Sequence, residues 1–211
     1  MPGPAFLVLL GPDYAGKSTV MRELAAGEPT WRLLSVDDEF LAPEHGVLSR
    51  LKSDLMADTL PAMGKHHSPD FVASLLQTAV VHLRDQVMDC GSHQPVVVDS
   101  YYYKILAKCR LVGATAHPVF DWWRGFPQPR RVLFLDVGPA AAWRRCGRGA
   151  RANPLEHHGD RLDRESFTEF QDDLRATMLA EVAHLPVDVL PPADPPATVR
   201  RVREAVAREF A

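Results

Sequence analysis

Gly11-Pro-Asp-Tyr-Ala-Gly-Lys-Ser18 is the stretch on which the reading of this chain turns. It fills every fixed position of the pattern G-x-x-x-x-G-K-[ST]. It also stands in the context that pattern needs, with the apolar run Phe6–Leu10 before it and a helical segment, Lys17–Ala26, after it. The glycines let the loop wrap so that backbone N–H groups face phosphate oxygens, and the helix N-terminus adds its positive dipole end. The pattern therefore assigns Gly11, Asp13, Tyr14, Ala15, Gly16, Lys17, Ser18 and Thr19 to nucleotide phosphates. Lys17 would reach the β- and γ-phosphates, and the Ser18 hydroxyl would ligate Mg²⁺. ATP and Mg²⁺ are the expected cofactors. The competing reading is a glycine-rich turn without a ligand, which the strand-before, helix-after context disfavours.

Four more apolar runs follow the loop: Trp31–Val36, Val96–Val98, Val132–Leu135 and Val187–Leu190. Between them the spacing predicts helices over about Leu48–Leu60, Tyr101–Val112, Pro139–Cys146, Arg164–His184 and Thr198–Phe210, with a short one around Phe120–Trp123. The longest has Asp70 as its expected N-cap and repeats Phe71, Val72, Leu75, Leu76, Ala79, Val80, Leu83 and Val87 every three or four residues. Such alternation means an α/β fold, a doubly wound five-stranded parallel sheet covered on both faces. Residues 1–211 read as one domain, with an acceptor-binding helical region over about 40–92 and a lid over about 147–163.

Composition narrows the partners. The 211 residues are 46% hydrophobic and 24% charged with a net charge of −3, so no global basic field argues for nucleic acid. Cys90, Cys109 and Cys146 are odd in number and widely spaced, which fits neither a disulfide framework nor a zinc module. No run approaches the length of a membrane span, and the N-terminal run is too short for a signal peptide. A cytoplasmic protein with a small-molecule partner, and neither nucleic acid nor membrane, is expected.

Three of the predicted strands end on acids. Asp99 closes the third, where it would hold Mg²⁺ or its water opposite Ser18; Asp37 and Asp38 close the second, where one would serve as base toward an acceptor hydroxyl. Any of them could instead cap a turn, a reading nearly as good for Asp37 and Asp38 but weaker for Asp99, and Asp136 is read that way. Nineteen of the 24 basic residues are arginine, six of them within 144–164. A cationic segment between two helices suits a lid that closes on ATP and neutralises the transferring phosphoryl. A solvated charged loop is the alternative. The pairs His66-His67 and His157-His158 read as loop histidines, since no third ligand completes a metal set.

These residues resemble the thymidylate kinase family of P-loop nucleotide kinases over most of the chain. The likeness rests on Gly11–Thr19, Val96–Asp99, Leu133–Val137 with Pro139 and Arg144-Arg145, and Asp160–Phe167. It implies a five-stranded parallel sheet, ATP and Mg²⁺, often a homodimer, and a place for Arg144 among the nucleotide-binding residues. Some members carry a catalytic arginine at the position of Tyr14, and others carry lid arginines. The resemblance makes Arg148, Arg151 and Arg161 the candidates here, Arg161 the best matched. Phe71, Gln77, Arg84, Ser100 and Tyr103 are the acceptor-side candidates.

Two departures bear on the acceptor. The family's Asp-Arg after the third strand, whose arginine holds the acceptor's monophosphate, is Asp99-Ser100 here, and an arginine of the long helix is Gln77 or a neighbour. Losing both removes much of the charge-assisted grip on a phosphate. The expectation is phosphoryl transfer from ATP to a nucleoside or nucleoside-monophosphate-like acceptor. Lys65, Arg84 and Lys104 remain as other phosphate ligands. The alternatives are a kinase of a non-nucleotide hydroxyl compound, an ATPase or GTPase switch, and a degenerate kinase fold that only binds partners. No guanine-specific Asn-Lys-x-Asp element is present, and intact Lys17, Ser18 and Asp99 argue against degeneracy.

Overall fold

The structure, a computed structural model, describes residues 4–91 and 94–210. Five parallel strands, β1 (Leu7–Leu10), β2 (Arg32–Leu34), β3 (Val96–Asp99), β4 (Arg131–Leu135) and β5 (Val187–Leu190), form one sheet in the order β2-β3-β1-β4-β5. The helices are α1 (Lys17–Gly27), α2 (Gly46–Asp54), α3 (Pro69–Met88), α4 (Tyr103–Leu111), α5 (Val119–Arg124), α6 (Pro139–Arg145), α7 (Arg164–Glu181) and α8 (Pro195–Phe210).

Strand side chains alternate between two cores, as the period of two requires. Phe6, Val8, Leu10, Val96, Val98, Val132 and Phe134 pack toward α3, α4, α5 and α7. Leu7, Leu9, Val97, Leu133 and Leu135 pack toward α1 and α8. Both faces are buried, which is why β1, β3 and β4 read as unbroken apolar runs.

The register sets the site. Leu9 of β1 pairs with Asp99 of β3, and Leu10 pairs with Phe134 of β4. Asp99 therefore lies beside the exit of β1, where the chain turns into the glycine loop at the carboxyl edge of the sheet. Ligands of open α/β sheets bind at that edge.

Local chemistry corrected several expected boundaries. Ser68, not Asp70, caps α3: its Oγ accepts from the Phe71 N–H at 3.1 Å, and Pro69 supplies the preset φ of the first turn. The helix expected over Leu48–Leu60 is α2, then a π turn (Leu55–Thr59) and a 3-10 turn (Leu60–Ala62). Helix α7 stops at Glu181, three residues short of His184. No helix or strand lies within the segment expected as a lid, 147–163. It is nonetheless anchored, because Leu155 packs on Leu55, Leu60 and Val72. No helix among the described residues is long and apolar enough to cross a membrane.

Candidate functional site

The glycine loop takes the conformation its residues permit. Gly11 lies at φ +152° and Gly16 at φ +100°, and a Cβ on Gly11 would stand 2.6 Å from the Leu135 carbonyl oxygen. That close approach to β4 explains the first glycine. Gly16 precedes α1, whose first N–H groups have no intrahelical acceptor and face the loop's concavity.

Lys17 is buried and donates to the carbonyls of Gly11 at 3.1 Å and Pro12 at 3.3 Å. Burial and the neighbouring Lys104 ammonium lower its pKa to about 7. Ser18 Oγ donates to Asp37 Oδ2 at 3.1 Å, and Lys52 Nζ lies 3.2 Å from Asp37 Oδ1. Asp99 is held differently: Ser100 Oγ donates to its Oδ1 at 2.8 Å and Ser35 Oγ to its Oδ2 at 3.5 Å. Both carboxylates stand near the phosphate loop, but Ser18 is joined to Asp37, not Asp99. Asp38 accepts from Ser49 at 2.8 Å and does not line the cavity described below. Of the acidic pair, the structure brings Asp37 alone to the site.

Asp13 is the hub of a buried polar cluster. Its carboxylate meets Lys104 at 2.5 Å and Lys108 at 3.0 Å. Its backbone N–H donates to Gln171 Oε1 at 3.0 Å, and Gln171 Nε2 donates to Asp13 Oδ2 at 3.0 Å. Burial works against the Asp13 charge, but the two lysines outweigh it and hold the carboxyl far below the usual range. Lys104 is the counterpart: Asp13 overcomes its burial and keeps its pKa up at about 12. The cluster reaches the lid through Glu156, which lies 3.6 Å from Lys108 and accepts from Asn153 at 2.7 Å. Tyr14, where some resembling kinases carry arginine, donates from its hydroxyl to Glu156 Oε2 at 2.9 Å and to the Arg151 carbonyl at 2.8 Å. Burial and the Glu156 charge raise its pKa, so it stays a phenol and a donor.

The arginines of 144–164 divide. Arg151 lines the cavity, its guanidinium 6.0 Å above the Tyr14 ring and donating to the Arg145 carbonyl. Arg145 lines it too and donates to the carbonyls of Tyr14 at 3.0 Å and Ala15 at 3.3 Å. Arg144, Arg148 and Arg161 are exposed and line no part of it.

These elements enclose a cavity of about 670 Å³, walled by the phosphate loop, α2, α3, the start of α4 and the lid. Ser100 lines it, held at φ +60°. The other acceptor-side candidates do not. Phe71 is exposed and stacks on His67 at 4.8 Å; Gln77 lies on α3 outside the lining. Arg84 pairs with Asp85 at 2.6 Å and lies over the Phe126 ring at 4.8 Å, because α3 turns that face outward. Tyr103 is fully buried and donates to Gln128 at 2.8 Å. All three tyrosines, 101–103, are core residues, and Tyr101 also lines the cavity, its buried hydroxyl without a partner among the described residues. Lys65 lies outside the lining, whereas Lys104 is in it. Asp136, read as structural, holds Arg175 in a fork at 2.6 and 2.7 Å.

Sequence reasoning left out Lys52, Lys108, Arg145, Asn153, Glu156 and Gln171 as site residues. Lys108 carried a usable signal, one helical turn after Lys104 on the helix that follows Asp99.

Among the described residues no cluster of three or more His, Cys, Asp or Glu is arranged to hold a metal. The donors beside the loop are a hydroxyl and carboxylates, Ser18, Asp37 and Asp99, an all-oxygen set that suits Mg²⁺ shared with a nucleotide's own phosphates.

No family model matches the chain, and no curated protein matches it in sequence. Solved structures match it in fold. Deoxyadenosine kinase from M. mycoides with bound dATP superposes with a TM-score of 0.62 at 13% identity, covering 95% of this chain and 98% of that one. The same enzyme with the products dCMP and a flexible dCDP gives 0.62 at 12%, covering 96% and 98%. Thymidylate kinase from Candida albicans gives 0.64 at 14%, covering 100% and 96%. The chain has the thymidylate kinase-like nucleotide-kinase fold.

Proposed function

We propose that the protein is a Mg²⁺- and ATP-dependent kinase that transfers the γ-phosphoryl group to a hydroxyl of an acceptor bringing no phosphate of its own, a nucleoside or another small hydroxyl compound. One observation carries this reading: the phosphate loop, with Lys17 and Ser18, opens on the same cavity that Asp37 and the lid enclose. The fold neighbours are kinases, and one of them is a nucleoside kinase by name.

Lys17 would leave the Gly11 and Pro12 carbonyls for the β- and γ-phosphates. Ser18 would hold Mg²⁺, which when bound would neutralise charge on the transferring group. Asp37, at the cavity and braced by Lys52, would take the acceptor's proton. Arg145 and Arg151, in the cavity lining, would meet the transferred phosphoryl. The acceptor follows from what is spent already. Lys104 and Lys108 are paired with Asp13 and Glu156, and Ser100 stands where an arginine would grip a monophosphate.

ADP release measured over nucleosides, nucleoside monophosphates, and amino and sugar alcohols, with product mass confirmed, tests the reading. An unphosphorylated acceptor should turn over, Lys17→Ala should abolish that turnover, and Ser100→Arg should gain monophosphate activity. Thymidylate phosphorylated at ordinary kinase rates would overturn the acceptor assignment. ATP hydrolysis that no acceptor stimulates would overturn the kinase.

A further inference from the structure

The polar chemistry of the cavity is crowded at its phosphate-loop end. Away from it, α2 and the turn after it contribute Leu48, Leu51 and Leu55, and α3 contributes Leu75, Leu76 and Ala79. Most polar side chains near these walls are committed, the exception being the buried Tyr101 hydroxyl, which has no partner among the described residues. Thr78 donates back to the Leu75 carbonyl at 2.8 Å, Ser100 to Asp99 at 2.8 Å, and Lys52 pairs with Asp37 at 3.2 Å. The edge of a nucleobase needs donors and acceptors aimed at it, and a site built to recognise one pays heavily for leaving them unpaired. These walls offer it aliphatic carbon. The lid continues the same surface, since Leu155 packs on Leu55 and Val72. A pocket of about 670 Å³ has the size of ligand sites that are mostly apolar with a few polar groups fixing one end.

We infer that the acceptor is an apolar alcohol, with its hydroxyl beside Asp37 and its hydrocarbon body between α2 and α3. This deepens the kinase reading above and rests on it. The alcohol oxygen forms a bond to the γ-phosphorus as the bond from that phosphorus to the bridging oxygen of ADP breaks. The hydroxyl proton passes to the Asp37 carboxylate. The products are an alkyl phosphate and ADP.

The test is ADP release by the wild-type chain with saturated primary alcohols from butanol to decanol, set against thymidine, deoxyadenosine and their monophosphates. Calorimetric titration of the same alcohols without ATP runs beside it. Each added methylene should lower KM and Kd roughly fourfold until the chamber is full, the equivalent of about 0.8 kcal/mol per buried methylene. Ala79→Leu, its fold checked by circular dichroism, should move the optimum to shorter alcohols.

Turnover of nucleosides with no response to alcohol length would overturn the inference and leave the kinase standing. Alcohols that bind with the length dependence but never release ADP would keep the apolar site and overturn the kinase. An unshifted optimum in Ala79→Leu would remove α3 from the acceptor wall and overturn the inference. Neither binding nor turnover would overturn both.

Discussion

Raising the pH should weaken nucleotide binding through a single residue, Lys17. In the free protein, burial and the Lys104 charge bring its pKa down to about 7. A bound phosphate favours the ammonium and would restore a value near the ordinary 10.5. Below pH 7 the free protein already carries the proton, so binding needs no uptake. At pH 8 roughly 0.9 of a proton must be taken up on binding. Affinity for the magnesium nucleotide should then fall about tenfold from pH 6 to pH 8, or about 1.4 kcal/mol. Calorimetry in two buffers of different ionisation enthalpy counts the protons directly. Lys104→Gln removes the repelling neighbour and should move the midpoint to higher pH. Proton uptake near zero at pH 8, with flat affinity over the range, would mean that Lys17 is charged in the free protein and would refute the reasoning.

Three further outcomes are expected. Gly11→Ala puts a Cβ 2.6 Å from the Leu135 carbonyl oxygen at φ +152°, so urea denaturation should show a loss of about 1–3 kcal/mol, with nucleotide binding impaired. Glu156→Ala strips Lys108, Asn153 and the Tyr14 hydroxyl of their shared acceptor in a buried setting. Trypsin should then cut the lid after Arg148 or Arg151 several-fold faster than in the wild type, and an unchanged rate would show that Glu156 does not anchor it. Asp136→Asn breaks a partly exposed ion pair with Arg175, worth less than about 1 kcal/mol. Arg175 lowers the Asp136 pKa, so its contribution is complete above the ordinary carboxylate pKa of about 3.9 and fades as the pH falls through the lowered value. The urea midpoints of the two proteins should converge in acid.

The frame was legible because its signals are local. Five buried strands show as apolar runs, and the loop between β1 and α1 carries its own spacing. The polar cluster was not legible, because it is assembled across the chain: Asp13 and Gln171 are 158 residues apart. The apolar stripe of α3 hid a division of labour. Val72, Val80 and Val87 enter hydrophobic clusters as buried residues, Leu75, Leu76 and Ala79 face the cavity, and Leu83 does both. Periodicity marks both faces as apolar, and only the placement of α2 opposite shows that one of them walls a chamber. The lid arginines failed for a related reason. Charge density marked residues 144–164 but could not distinguish Arg145 and Arg151, which line the cavity, from Arg144, Arg148 and Arg161, which do not, although all five are exposed.

The ties on Asp13 bear on how a nucleotide arrives. Gln171 of α7 grips the backbone and side chain of the loop, while Lys104 and Lys108 of α4 hold the same carboxylate. The loop is thus clamped from two helices on the sheet face opposite α1 before any phosphate enters. The ordering cost that a mobile loop would take out of its ligand's affinity is met during folding of the chain itself. What remains for the encounter is side-chain motion: Lys17 swings away from two carbonyl oxygens, and the Ser18 hydroxyl lets go of Asp37.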